Sequence, residues 1–244
     1  MRWQLFSDTE GLVMATTNLH DKRIPSESAE YRAARNDLLA EEQALREQAE
    51  RVATLRRQLP SGAPLTQDYE FEEIDLSDGD SRPIRFSNLF GDKADLLVYS
   101  YMYGPEWESP CPSCTSFIDG IDAVSRHVRQ QAELVVVGTA TPAQLYDIAR
   151  ERGWKDLRLL SCEKNDYARD YNGQVGETSE SLMPLMNVFQ KQDNKIHHFW
   201  ASELLWTPME GGHPRHIDIA WPVWGLLDMT RSGRHPDKTP QLRY

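Results

Sequence analysis

The chain has 244 residues, 39% hydrophobic and 27% charged, with a formal net charge of −11. That is a globular composition on the polar side, enough for one large domain or one domain with an appended element. The negative balance argues against binding to nucleic-acid backbones or anionic membrane surfaces, which need a positive footprint; no Lys/Arg run supplies one, and no apolar stretch reaches the length of a membrane span.

Residues 1–24 form an N-terminal extension with little pattern. Met1 to Asn18 has no basic start, no long apolar run and no small-residue cleavage site, so no signal peptide is expected. Three cysteines in 244 residues are too few for a disulfide framework. The expected location is therefore the cytoplasm, where a cysteine pair is catalytic or metal-binding rather than structural.

Residues 25–60 read as a long amphipathic helix. Pro25-Ser26 offers a start, with Glu27 and Glu30 in the first turn where the helix dipole favours acids. No Gly or Pro occurs from Glu27 to Leu59, and Tyr31, Leu38, Leu45, Val52 and Leu59 recur every seven residues. This stripe offers a face for a homodimer through residues 27–59, or for packing along the helix's own domain. Glu41 and Gln48 stand where a coiled coil wants apolar residues, which disfavours an autonomous one.

Pro60-Ser61-Gly62-Ala63-Pro64 is a linker, and the main domain is expected over 65–235, with a C-terminal tail at 236–244. Tyr69 to Ile74 and Pro83 to Phe86 read as a hairpin across Asp78-Gly79-Asp80. Leu96 to Ser100 has strand character, and Thr115 to Val128 has helix period, with Phe117, Ile118, Ile121, Val124 and Val128 on one face. Leu134 to Val137 is a continuous apolar run, as expected for a central strand covered on both faces. Thr141-Pro142 caps a second helix that ends before Gly153. A strand at Leu157–Leu160, a hairpin of Met186–Phe189 with Ile196–Trp200, and a short helix at Val223–Thr230 complete the pattern. Strands alternating with helices, then a hairpin and a closing helix, indicate an α/β sandwich.

Between the 96–100 strand and the following helix lies Glu106-Trp107-Glu108-Ser109-Pro110-Cys111-Pro112-Ser113-Cys114. A Cys-x-x-Cys at the start of a helix has the local arrangement of a thiol–disulfide redox site. Free backbone N–H groups and the positive dipole end would lower the pKa of Cys111 and make it the nucleophile. Cys114, one turn inside, would resolve the mixed disulfide. Pro112 restricts the loop, while Glu106 and Glu108 disfavour a thiolate. Trp107 is the better groove candidate among the nearby aromatics, whereas Tyr101 and Tyr103 share one strand face and suit the core equally well.

The arrangement resembles the thioredoxin superfamily, and more closely the thioredoxin-like family catalogued as domain of unknown function 899. The residues that carry this are Tyr31-Arg32-Ala33-Ala34-Arg35 with Leu38-Leu39, Arg57-Gln58-Leu59-Pro60, Leu89-Phe90-Gly91, Met102-Tyr103-Gly104-Pro105, Cys111-Pro112-Ser113-Cys114, Gly153-Trp154, Asp228 and Ser232-Gly233-Arg234. The resemblance spans residues 27–235. It implies a thioredoxin-like sheet sandwiched by helices. By the same resemblance Pro184 would be a cis-proline facing the disulfide, with Met183 presenting its backbone to the substrate.

Three other readings compete. A copper or zinc site would need Cys111, Cys114 and one His, but no second Cys-x-x-Cys exists, and His197-His198 and His213-x-x-His216 are distant in sequence. The peroxiredoxin pattern Pro-x-x-x-Thr/Ser-x-x-Cys fits Pro105 and Ser109, but Cys111 falls one residue early. A non-enzymatic, redox-sensing protein would keep the fold and use the long helix to assemble. Cys162 reads as a small buried apolar residue. The expectation is a thioredoxin-like thiol–disulfide oxidoreductase using Cys111, Cys114 and Pro184, with Trp107, Pro112 and Met183 along the groove. It needs no bound cofactor or metal, only a protein or small-molecule disulfide/thiol substrate and a cellular thiol reductant.

Overall fold

In the computed structural model the chain divides into two compact units, Met1–Leu59 and Pro60–Tyr244. The structure describes residues 19–176, 181–208, 215–235 and 237–244. Among these, no helix is long and apolar enough to cross a membrane.

The first unit contains α1, Ala29–Arg57. Its start falls at Ser28 rather than at Pro25-Ser26. The Ser28 hydroxyl accepts the Tyr31 N–H at 3.1 Å, satisfying a free first-turn donor. Ser26 instead takes a left-handed φ of 66°, which no helix tolerates. Glu27 pairs with Arg32, and Arg56 and Arg57 sit in the last turn where cations favour the dipole. The seven-residue stripe from Tyr31 to Leu59 is solvent-exposed.

The second unit is built on a seven-stranded sheet. Its strands are β1 (Glu70–Ile74), β2 (Ser81–Arg85), β3 (Asp95–Tyr101), β4 (Glu133–Gly138), β5 (Arg158–Ser161), β6 (Met186–Gln192) and β7 (Lys195–Ala201), in the order β2-β1-β5-β4-β3-β6-β7. The helices are α2 (Pro112–Val128), α3 (Pro142–Arg152), α4 (Tyr167–Asp170) and α5 (Pro222–Asp228). β3, β4 and β5 are parallel, joined by α2 and α3, and β6 returns antiparallel beside β3. A strand–helix–strand unit followed by an antiparallel hairpin at the edge of the first strand is the thioredoxin-like arrangement expected from the sequence.

Local chemistry accounts for most of these elements. The first hairpin turns at Gly79, whose φ is 87° and whose missing side chain makes room for the Tyr146 ring. The second turns at Asp193-Asn194, both with positive φ, as a tight type I′ connection requires. Thr141 and Gln144 form a reciprocal capping box at the start of α3.

The strand period sends side chains to two cores. Tyr99, Tyr101, Val136 and Leu159 face α2, α3 and the 217–228 segment. Leu96, Val98, Val135, Leu160 and Phe189 face an aromatic cluster of Phe71, Phe86, Phe90 and Tyr167. The sandwich is therefore asymmetric: two long helices cover one face, and a 3₁₀ turn at Phe86–Asn88 with the short α4 covers the other.

Asp122, in the middle of α2, ties this helix to the chain entering β5. Its Oδ1 accepts the N–H groups of Lys155, Asp156 and Leu157 at 3.1, 2.9 and 3.0 Å. Hydrogen bonds to an ionised acceptor are the strong ones. Asp122→Ala is expected to cost about 2–3 kcal/mol and Asp122→Asn, which keeps one acceptor oxygen, about 1 kcal/mol. The check is the urea midpoint at unchanged m-value; equal losses in both variants would refute the acceptor role.

Candidate active site

The site is assembled where β3 ends. The chain leaves Tyr101, crosses residues 102–110 and enters α2 at Cys111. The crossing loop is pinned: Cys111 N–H donates to the Met102 carbonyl at 3.0 Å, and Ala140 N–H to the Tyr103 carbonyl at 2.9 Å. Gln144 Nε2 holds the Pro105 carbonyl at 3.0 Å. Cys111 is the N-cap of α2 and Pro112 its first residue, where a proline's missing N–H is no loss. The Cys111 sulfur takes the place of a capping oxygen and accepts the Cys114 N–H at 3.5 Å.

The two thiols are driven apart. Cys111 is lowered to about 6, chiefly because the Cys114 thiol donates to its sulfur, with the Cys114 and Ser113 N–H groups adding to this against the cost of burial. Cys114 is pushed well above the usual thiol range, first by burial and then by the adjacent Cys111 thiolate. The pair therefore holds one thiolate and one thiol near neutrality. No acid sits in the first turn of α2, so within the helix itself nothing offsets its positive end.

Three further side chains support the pair. The Thr115 hydroxyl donates to the Cys111 carbonyl at 2.9 Å, so its oxygen must accept from the Tyr101 hydroxyl at 2.7 Å. Tyr99, fully buried, shares the core with Cys114, and its hydroxyl acts to lower the Cys114 pKa against the larger rise from burial. Thr115 was not singled out by sequence reasoning, although its position four residues after the cap was a usable signal. Tyr101 and Tyr103 belong to the core: the rings meet at 6.0 Å and both are buried.

The residues expected around the pair have mixed fates. Pro184 lies at the same end of the sheet, since Ser100 N–H donates to the Leu185 carbonyl. Its peptide bond is trans, however, correcting the cis-proline implied by resemblance. The carbonyl of Pro184 accepts from His216 Nε2 at 2.8 Å. Met183 has its N–H on the Gly173 carbonyl and its own carbonyl on the Leu185 N–H, so these main-chain groups are engaged within the protein. Trp107 is half-buried and packs against the apolar core. His216 is half-buried too, and His213 lies outside the described residues.

Cys162 is buried in the opposite core, its thiol pushed up to about 12 by burial, and it donates to the Gly138 carbonyl. It cannot meet the Cys111–Cys114 pair through the sheet. Among the described residues, no three His, Cys, Asp or Glu side chains are grouped to hold a metal ion.

The segment from 217 to 224 closes the outer side of α2. Trp221 stands against Phe117 at 5.9 Å, and Pro222 packs at Gly120, where a Cβ would come within 3.2 Å of its ring. A cavity of about 560 Å³ opens on the other side of the loop, lined by Glu108, Pro110, Pro112, Asp147, Glu151 and Arg243 among others. Of the residues weighed for a groove, Pro112 and Tyr103 line it, and Trp107 and Met183 do not. Neither this cavity nor a second one of about 570 Å³, bordered by Tyr171, His198 and Trp206, is lined by Cys111 or Cys114.

A sequence profile of the family described as "Bacterial protein of unknown function (DUF899)" matches residues 20–244. No curated protein matches the chain. Among solved structures, it is similar to peroxidoxin BcpB from Mycobacterium tuberculosis, at 19% identity over 68% of this chain and 96% of that one, with a TM-score of 0.43. It is also similar to AhpC of Enterococcus faecalis, at 11% identity over 74% and 98% with a TM-score of 0.46. Thioredoxin peroxidase I of Plasmodium yoelii matches at 13% identity over 75% and 99%, with a TM-score of 0.45.

Proposed function

The chain belongs to the DUF899 family, and we propose that it is a thiol–disulfide oxidoreductase whose nucleophile is Cys111 and whose resolving thiol is Cys114. The observation that carries this is the split pair: an N-cap sulfur lowered to about 6 beside a buried thiol held protonated. A thiolate is the attacking species in disulfide exchange, and a nucleophile with a pKa near ambient pH is close to optimal.

The Cys111 thiolate attacks one sulfur of a substrate disulfide, the S–S bond breaks, and the first half leaves as a thiolate. That thiolate takes the Cys114 proton, and Cys114 then attacks the Cys111 sulfur and releases the second half. The substrate has gained two electrons and the pair has become a disulfide, which a cellular thiol reductant returns to the dithiol. No bound cofactor enters. Pro184 lies at the same sheet end, with its carbonyl fixed by His216 rather than offered to substrate.

Alkylation by iodoacetamide against pH tests the reading. A thiol lowered from its usual value is ionised above its own pKa, so the Cys111 rate should reach half its plateau near pH 6 and be flat above about pH 7.5. A free thiol would still be gaining rate at pH 8.5. The companion assay is reduction of 2-hydroxyethyl disulfide with dithiothreitol as regenerating thiol. A Cys111 midpoint at or above pH 8, with no disulfide reduced, would reject the assignment.

A further inference from the structure

We propose that the exposed stripe of α1 is the interface between two copies of this chain, which pair antiparallel about Leu45. Tyr31, Leu38, Leu45, Val52 and Leu59 are 39–70% exposed, although all five are large apolar side chains. A residue seven places further on lies only about 20° around the helix, so the five form one line about 42 Å long. Leu59 follows the cap residue Gln58 and extends the line, because its N–H still closes a turn onto the Arg56 carbonyl at 3.2 Å. Such a line can be laid against a second copy of itself about a two-fold axis, each contact then being made twice.

The charges choose the direction. With the axis at Leu45, each residue stands level with the one equally far on the other side of Leu45 in the second copy. Leu38 then meets Val52, and Tyr31 meets Leu59. Glu41 and Glu42 meet Ala49 and Gln48, and Arg56 meets Ala34. No charged residue from Arg32 to Arg57 stands level with another charge. The in-register parallel pair does the opposite and sets every charge level with its own copy. Glu41 and Glu42 would then crowd four carboxylates at one level, with Arg35 reaching Glu42 only at 3.9 Å to offset them. Like charges juxtaposed across an interface disfavour that arrangement, and the helix dipoles favour the antiparallel one.

This match exists between the helix and itself, which is why the occupant is a second copy rather than a different protein. The contact is one apolar row deep. Glu41 and Gln48, which would fall inside a two-row coiled coil, stand at its edge instead, level with Ala49 and Glu42. Leu55, 63% exposed, adds to the row at the level of Arg35. The methylene stem of an arginine covers apolar surface there while its charge stays in water.

Light scattering on the full chain at micromolar concentration should give twice the chain mass. L45E sets two carboxylates face to face on the axis and should weaken the dimer by about a hundredfold or more. Leu45 is 70% exposed in the single chain, so the circular dichroism of L45E should match that of the wild type. The direction is read by oxidative cross-linking with copper phenanthroline in C111S/C114S chains, whose remaining Cys162 is buried. L45C should cross-link with itself. L38C and V52C should cross-link when mixed in equal amounts and not when each is alone. A monomeric wild-type chain, or a dimer that L45E does not weaken, would overturn the inference. So would L38C joining to itself as readily as to V52C, the signature of parallel pairing. None of these results bears on Cys111, so the redox reading stands or falls separately.

Discussion

Cys111→Ser should abolish disulfide reduction, by roughly a thousandfold or more, because a hydroxyl at the helix cap cannot replace a thiolate. Cys114→Ser should stop the reaction one step later, with the first half of the substrate released and the second held on Cys111. With 5,5′-dithiobis(2-nitrobenzoate), the C114S chain would release one equivalent of thiolate and gain the mass of one nitrothiobenzoate. Peptide mapping should find that mass at Cys111, not at the buried Cys162. The same substitution also removes the thiol that donates to the Cys111 sulfur, the largest contribution to its lowered pKa. The alkylation midpoint of Cys111 in C114S should therefore move up from about 6. A C114S chain that turns over at the wild-type rate would show that Cys114 does not resolve the intermediate. Labelling at Cys162 would show that the nucleophile has been misassigned.

The Cys pair was legible because local signals agree. A proline directly after Cys111 and a helical period from Thr115 onward place the first sulfur at a helix N-terminus without any tertiary information. The run Leu134–Val137 identified the central strand for the same reason: only a strand covered on both faces tolerates such a sequence. Once the strands are known, the period of two along β3 puts its side chains into two cores, and the separation of Cys114 from Cys162 follows.

What was not legible depends on contacts far apart in sequence. Nothing in Glu70–Ile74 says that it lies antiparallel to β5, some ninety residues away. Asp122 looks like any exposed helical acid until the three N–H groups it caps are brought to it by the fold. Trp221, at the cap of α5, had no period to announce it, because it packs on Phe117 of α2 from outside a regular element. Proline 184 failed for a different reason. A resemblance supplied a peptide geometry that the residues around it never encoded, and the hydrogen bonds at Met183 and Pro184 hold a trans segment.

Arg158 carries the largest expected loss of stability. It begins β5 between two carboxylates on the neighbouring strands, donating to Glu73 Oε1 at 2.7 Å and to Glu133 Oε2 at 3.3 Å, and to the Leu89 carbonyl at 2.8 Å. The three side chains are 9–15% exposed. A pair of buried carboxylates deprived of their shared cation is costly, so Arg158→Met should destabilise the protein by about 3–5 kcal/mol. Arg82 and Arg129 reach the same carboxylates at 3.4 and 3.1 Å from more exposed positions, which favours the lower end of that range. The loss comes from stranded charge rather than from the missing attraction, and that distinction is testable. Adding Glu73→Gln and Glu133→Gln to Arg158→Met removes the stranded charges and should recover more than half of the deficit. The cluster lies at the start of β4, whereas the thiols lie beyond the end of β3, which runs parallel to it. The alkylation profile of Cys111 in the folded variant should accordingly be unchanged. Denaturant midpoints of the single and triple variants decide the matter: a loss under about 1 kcal/mol for Arg158→Met, or a triple variant less stable than the single one, would remove the network from any account of what holds β1, β5 and β4 together.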